Sequence, residues 1–232
     1  MSRERYFARF PIVEVQQTFY QPPRIETLRK WREEAPEGFA FALKAWQLVT
    51  HEPSSPTYRR LKASVQPEIA NRYGSFRPTE EVAAAWRTTL EAARALEAEA
   101  IVFQSPASFT PTREHQANLH AFFRKARGDS GDILLGWEPR GEWRTELAQG
   151  LCEELGLLLV LDPFRTAPPR TKIQYFRLHG IGGYRYRYRD EELDRLAEWC
   201  GGRTFCLFNN TNMAEDAERF LEIAARRASI LF

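Results

Sequence analysis

Residues 132–162 read DILLGWEPRGEWRTELAQGLCEELGLLLVLD. The first part, DILLGWE (132–138), is short and mostly apolar and ends in Glu138. The middle, RTELAQGLCEELG (144–156), has the mixed apolar and charged spacing of an amphipathic helix. The last, LLLVLD (157–162), is again a short apolar run, closed by Asp162. Two such runs joined by one amphipathic segment are the signature of parallel strands connected by a crossover helix.

The same alternation extends in both directions. IVEVQQTFY (12–20), GFAFALKAW (38–46), AIVFQSP (100–106), QYFRLH (174–179) and TFCLFNN (204–210) complete a set of seven predicted strands. Helices are predicted over 26–35, 79–99, 113–127, 190–200 and 214–228, with Thr79 as the N-cap of the second. Most strands are apolar at nearly every position, as expected where both faces are covered. Residues 52–78, rich in proline, serine and arginine, break the rhythm and predict a long excursion containing a short helix. No repeat and no linker divides the chain, so residues 1–232 are expected to form a single β/α domain.

Parallel strands with helices form either an open doubly wound sheet or a closed barrel. GIGGYR (180–185) follows a strand but lacks the spacing and the helix start of a dinucleotide fingerprint. Near-regular β/α units favour a TIM-type barrel. Its length of 232 residues, 43% of them hydrophobic, suits one sizeable core.

Charge and composition exclude several roles. With 33 basic against 31 acidic residues the net charge is +2, so whole-protein attraction to nucleic acid or acidic membranes is not expected and any anion site is local. The start, MSRERYFARFP, has no apolar run of signal-peptide length, and no segment is long enough to span a membrane. Cys152, Cys200 and Cys206 form no close pair of the metal or redox type in sequence; an odd count without a framework fits a reducing cytoplasm.

Each predicted strand runs from apolar at its start to polar at its carboxyl end. Side chains alternate along a strand. Ala40, Ala42 and Lys44 therefore share one face, opposite Phe39, Phe41 and Leu43. Arg177 and His179 oppose Phe176 and Leu178; Gly136 and Glu138 oppose Leu135 and Trp137. Glu14, Gln16, Gln104, Asp162, Asn209 and Asn210 are the polar ends of the remaining strands. A barrel carries its catalytic groups at that end. Unpartnered buried polar groups cost about 1–3 kcal/mol each, so a ring of them needs mutual, water or ligand contacts.

VEVQQTFY, PEGFAFALKAWQLVTH, IVFQSPASF, LGWEPRGEW, YFRLHG and LFNNTNMAEDA, in this order and over most of the chain, resemble the signature segments of the YecE-like family, domain of unknown function 72. The resemblance implies a TIM-barrel-like fold and brings no established activity. Such proteins usually open with a GTSGW-type strand and loop, whereas this chain starts at what resembles the end of the first helix. The resemblance thus implies seven strands, with a barrel left incomplete, closed by seven, or completed by a partner through an unpaired edge. Gln16 stands where the family usually has Asn, which displaces any ligand contact there.

Glu138 and His179 are the candidate acid–base pair. A carboxylate walled by aromatics and an imidazole both suit proton transfer near neutral pH. The plainer readings are an ion pair of Glu138 with Arg140 or Arg177, and a histidine bonded to a neighbouring strand end. Lys44, Arg177, Glu14, Gln16, His51, Gln104, Arg140, Asp162, Asn209 and Asn210 are the candidate substrate contacts. No cofactor is required by a motif. Glu14, Glu138, Asp162 and His179 would suit a divalent metal if they converge. His115 and His120, five apart on one predicted helix, do not share a face.

In FRLHGIGGYRYRYRDEEL (176–193), Gly180, Gly182 and Gly183 allow close backbone approach to an anion, and Arg185, Arg187 or Arg189 could pair with it. The plainer reading packs the tyrosines on the rim and leaves the arginines in water. The expected partner is a small polar, phosphorylated or sugar-like molecule. Two other classes remain: a nucleic-acid binder reading phosphates with residues 184–189, and an inactive barrel acting through protein association at its edge.

Overall fold

In the computed structural model, which describes residues 1–230, all seven predicted apolar runs contain a strand, and every strand pair described in register is parallel. The chain divides into two compact units, Met1–Leu157 and the part from Leu158 onward.

The first unit contains α1 (Arg3–Arg9), β1 (Ile12–Val15), α2 (Gln17–Tyr20), α3 (Ile25–Glu34), β2 (Ala40–Lys44) and α4 (Gln47–Thr50). It continues with α5 (Glu80–Ala95), β3 (Ala100–Gln104), α6 (Arg113–Ser130), β4 (Leu134–Glu138) and α7 (Thr145–Leu155). Strands β1 to β4 pair in sequence order. The run 12–20, expected as one strand, is instead a four-residue strand followed by a helical turn. The Thr18 hydroxyl donates to the carbonyls of Val15 (2.8 Å) and Lys44 (2.7 Å), which ends β1 and folds Phe19 into the core.

The expected excursion at 52–78 is present and holds two 3-10 helices, Pro56–Arg60 and Pro67–Arg72, each opened by its proline. The chain returns through Gly74, Ser75 and Phe76, all with positive φ. Their N–H groups donate to the carbonyls of Leu48, Thr50 and Val49, which pins this strained turn against α4. A Cβ on Gly74 would lie 2.3 Å from the His51 carbonyl oxygen, so only glycine fits. Thr79 then caps α5 as expected, its hydroxyl accepting from Val82 N–H.

Strand register sorts the side chains. Glu14 pairs with Ala42 and Ala42 with Ala100; Lys44 pairs with Val102 and Val102 with Gly136; Gln104 pairs with Glu138. One face therefore carries Ala40, Ala42, Ala100, Val102 and Gly136, with Ile12 and Leu134 at the starts of β1 and β4 and polar groups toward the ends. The opposite face carries Phe41, Leu43, Ile101, Phe103, Leu135 and Trp137, all buried. Phe103 packs against Trp86 of α5 and Phe122 and Phe123 of α6, and Phe41 against Phe7 of α1. The bulky face is thus the one the helices cover.

The second unit contains β5 (Leu158–Leu161), β6 (Ile173–Leu178), α8 (Asp190–Trp199), β7 (Arg203–Phe208) and α9 (Met213–Ile230). Its strands also pair in sequence order. Leu161, Phe176 and Leu178 join Tyr188, Leu193, Leu196, Phe220 and Ile223 in one cluster beneath α8 and α9. Register places Val160, Tyr175, Arg177, Phe205 and Leu207 on the other face.

Candidate active site at the strand tips

In the first unit the register places Glu14, Lys44, Gln104 and Glu138 on one face of neighbouring strands, opposite the face that packs against α1, α5 and α6. Glu138 is 4% exposed although it ends its strand. Its Oε1 lies 2.7 Å from Arg140 Nη2, so the ion pair anticipated as the plainer reading is present. Gln16 Nε2 donates to Glu14 Oε1, which ties these two side chains together at the end of β1. The extra methylene of Gln16 is absorbed in that local bond.

Lys44 is buried, with Nζ 3.7 Å from the centroid of the Phe19 ring. The same ring meets the imidazole of His51 edge-on at 5.0 Å. The direction of His51, open in the sequence, is thereby fixed toward Lys44. Its Nδ1 bonds the Thr50 hydroxyl at 2.8 Å, and its carbonyl accepts from the Tyr58 hydroxyl at 2.7 Å. Burial, and then the Lys44 charge, push the imidazole down to about 3. His51 is a neutral group at physiological pH.

Sequence reasoning missed three neighbours. Phe19 supplies the aromatic floor just described. Trp46, two residues beyond Lys44, has an indole Nε1 that is buried without a hydrogen-bond partner, and Gln47, fully buried, has an Oε1 in the same condition. Gln47 Nε2 donates to the Tyr20 carbonyl at 3.0 Å, so its side-chain orientation is fixed. Orphaned polar atoms of this kind are uncommon in native proteins and call for an explanation such as a ligand or water. The alternation rule, continued two residues past Lys44, would have found Trp46.

In the second unit His179 is 3% exposed and Arg177 is 1% exposed. The Asn209 amide lies 3.2 Å from His179 Nδ1, and the Tyr184 ring meets the imidazole edge-on at 5.9 Å. Asn210 Nδ2 donates to the Tyr186 carbonyl and to Asp216, while its buried Oδ1 has no hydrogen-bond partner. Asp162 belongs to the scaffold. Its two oxygens accept from the backbone N–H groups of Phe164 (3.1 Å) and His179 (3.0 Å), clamping the end of β5 to that of β6. Among the described residues no group of three or more His, Cys, Asp or Glu could hold a metal ion.

The glycine-rich loop is a chain of turns. Gly180 N–H donates to the Tyr188 hydroxyl at 2.9 Å and Gly183 N–H to the Gly180 carbonyl at 3.2 Å, so neither is directed at an anion. Gly180, at φ +86°, has the Gly183 carbonyl oxygen 2.2 Å from where a Cβ would sit, so its need for glycine is one of packing. Tyr188 is buried, Tyr186 half-buried and Tyr184 exposed, while Arg185, Arg187 and Arg189 are exposed. Arg187 pairs with Glu215 and Arg189 with Glu192. Gly182 is exposed at the tip. His115 stacks on Phe109 with ring centroids 4.3 Å apart, and His120 lies 3.5 Å from Glu154. Two surface depressions of the first unit, about 600 and 360 Å³, lie among helices and their flanking turns, lined by residues such as Phe7 and Pro36, and Ile25 and Glu91. Among the described residues no helix is long and apolar enough to cross a membrane.

Comparison with solved structures supports the barrel reading. A DUF72 family protein from Enterococcus faecalis V583 is 18% identical and superposes with a TM-score of 0.71 over 97% of this chain and 88% of that one. One from Thermotoga maritima MSB8 is 20% identical, with a TM-score of 0.61 over 94% and 85%. A xylose isomerase domain containing protein from Salmonella typhimurium LT2 is 18% identical, with a TM-score of 0.56 over 100% and 93%. The fold is thus α/β and TIM-barrel-like, with seven parallel strands alternating with helices. No curated protein matches the sequence. The model of the family described as protein of unknown function DUF72 matches residues 2–230, and the chain belongs to that family.

Proposed function

We propose that the polar face at the carboxyl ends of β1–β4 is an acid–base site for a small polar substrate of the sugar or sugar-phosphate class. The observation that carries this reading is the shared face of Glu14, Lys44, Gln104 and Glu138, opposite the aromatic face and polar only toward its strand tips. Glu138, ionised beside Arg140, takes a proton from a carbon next to a substrate carbonyl. The Lys44 ammonium stabilises the negative charge that develops on the carbonyl oxygen. Trp46 Nε1–H, Gln47 Oε1 and Gln104 bond substrate hydroxyls, giving partners to the two orphaned atoms. In the second unit His179, with the Asn209 amide at its Nδ1, is a separate candidate proton carrier. The name of the Salmonella relative, which includes a xylose isomerase domain, makes aldoses and ketoses the first substrates to try.

Proton abstraction is detectable before the product is known. The protein is incubated in D₂O with a panel of aldoses, ketoses and their monophosphates, and loss of the proton signal next to the carbonyl is followed by NMR. Exchange is expected with at least one sugar, lowered about 10²–10⁴-fold in Glu138→Gln with unchanged circular dichroism. His179→Gln is measured separately. Absence of exchange across the panel, or full exchange in Glu138→Gln, overturns the reading.

A further inference from the structure

Cysteines 200 and 206 are separated in sequence by GGRTF and match no redox motif. The fold nevertheless makes them a pair. Cys200 is the C-cap of α8, its N–H bonded to the Leu196 carbonyl at 3.1 Å. The chain reverses at once through Gly201 and Gly202, the latter at φ +60°, and enters β7. Gln174 on β6 fixes that reversal, its Oε1 accepting from Gly201 N–H (2.8 Å) and from the Thr204 hydroxyl (3.1 Å). Cys206 is the fourth residue of β7, on the face that α8 covers, and both cysteines pack against the same apolar cluster. Each thiol perturbs the titration of the other, in keeping with side chains that lie near one another in that cluster. Sequence spacing shows no close pair of the redox type, but the tight α8–β7 turn returns the strand beneath the helix end.

We propose that Cys200 and Cys206 form a reversible dithiol–disulfide site that reacts with hydroperoxides, with Cys200 as the attacking sulfur and Cys206 as the resolving one.

The roles follow from the surroundings. Cys200 is half-buried at the helix end, and the Cys206 thiol that bonds it pulls its pKa below the usual thiol value. Burial pushes Cys206 well above that value, and the neighbouring Cys200 adds to the rise. Cys152 is the internal contrast: 2% exposed on α7, with burial pushing its thiol up to about 12. The thiolate is the reactive form, so the first oxidation falls on Cys200. Its sulfur attacks one peroxide oxygen, the O–O bond breaks, and the departing oxygen leaves as water or alcohol after protonation. Cys200 is then a sulfenic acid. The Cys206 sulfur attacks that sulfur, the S–O bond breaks, and the released hydroxide takes the Cys206 proton as a second water. Two thiols have lost two electrons and two protons to one peroxide. Closing the disulfide brings the two sulfurs to about 2.0 Å.

The test is peptide mapping of the intact protein after brief treatment with hydrogen peroxide and blocking of remaining thiols. Trypsin cuts after Arg203, so peptides 196–203 and 204–219 separate unless a disulfide joins them. The expected result is a linked pair, released by dithiothreitol, with Cys152 recovered as a thiol. In Cys206→Ser, Cys200 is expected to stop at the sulfenic acid and label with dimedone. In the untreated protein Cys200 should alkylate at least about tenfold faster than Cys152. Separate peptides after oxidation, Cys200 passing directly to sulfinic acid in the wild type, or equal alkylation of Cys200 and Cys152 would each overturn the proposal.

Discussion

His51 shows how much chemistry can depend on one side-chain direction. Its imidazole is packed on Phe19 and faces the charge of Lys44, so protonating it in the folded state is unfavourable. The folded value, about 3, lies below the ordinary 6.5 of the unfolded chain. Between these values the unfolded state binds the extra proton, so this contribution to stability is complete above about pH 6.5 and falls as the pH drops toward 3. Urea unfolding of the wild type should therefore lose about 2–3 kcal/mol more between pH 7 and about pH 4.5 than unfolding of His51→Gln. Equal losses in the two proteins would mean that His51 is not the neutral buried group described. His51 had no legible direction, because it lies seven residues beyond Lys44, past the end of the strand, where no strand periodicity reaches it. Glu14, Lys44, Gln104 and Glu138 were legible because strand alternation is a local rule that register then confirms. Asp162 looked like its neighbours in sequence, but both its oxygens bond backbone N–H groups. A polar strand end that clamps and one that faces a substrate have the same one-dimensional pattern.

At the scale of elements, the stretch from Gly180 to Arg189 is held by α9. Asp216, fully buried in the first turn of that helix, accepts from Asn210 Nδ2 (2.6 Å), Tyr188 N–H (3.4 Å) and Arg219 Nη1 (3.1 Å). Arg219 also donates to the Tyr188 carbonyl at 2.7 Å. One carboxylate thus joins the strand tip of β7, the tyrosine-rich loop and the helix. Removing one member of a buried charged network leaves the others unpaired, so Asp216→Ala should lower stability by about 3 kcal/mol or more. The loop should become the first site of limited trypsin cleavage, after Arg185 or Arg187. Unchanged urea midpoints would contradict the network. Strands and long helices were legible to within a few residues, and so was the Thr79 cap. The exception, residues 12–20, failed where a threonine hydroxyl ends the strand, an event without an apolar signature. Cys200 and Cys206 were invisible for a related reason: their meeting depends on how tightly a helix turns back into its strand.

For the molecule as a whole, the balance of charge decides between a small-molecule site and a nucleic-acid surface. The chain carries 33 basic and 31 acidic residues, and a protein binds nucleic acid without sequence preference by neutralising several phosphates at once. The only strip that suggested such a surface was the alternation of tyrosine and arginine at 184–189. There Arg187 and Arg189 are paired with Glu215 and Glu192, and Tyr188 is buried. Two of the three arginines would have to leave a carboxylate before meeting a phosphate, and only Tyr184 is exposed enough to stack on a base. Fluorescence anisotropy with a labelled single-stranded oligonucleotide in about 50 mM salt should therefore detect no binding tighter than roughly 10⁻⁴ M, the weak end of non-specific association. Replacing Arg185, Arg187 and Arg189 together by Ala should leave that result unchanged. Tighter binding that weakens linearly with the logarithm of salt, and is lost in the triple variant, would move the functional surface from the strand tips to this loop. Glu138→Gln would then leave the protein's activity intact, which separates the two outcomes in a single set of variants.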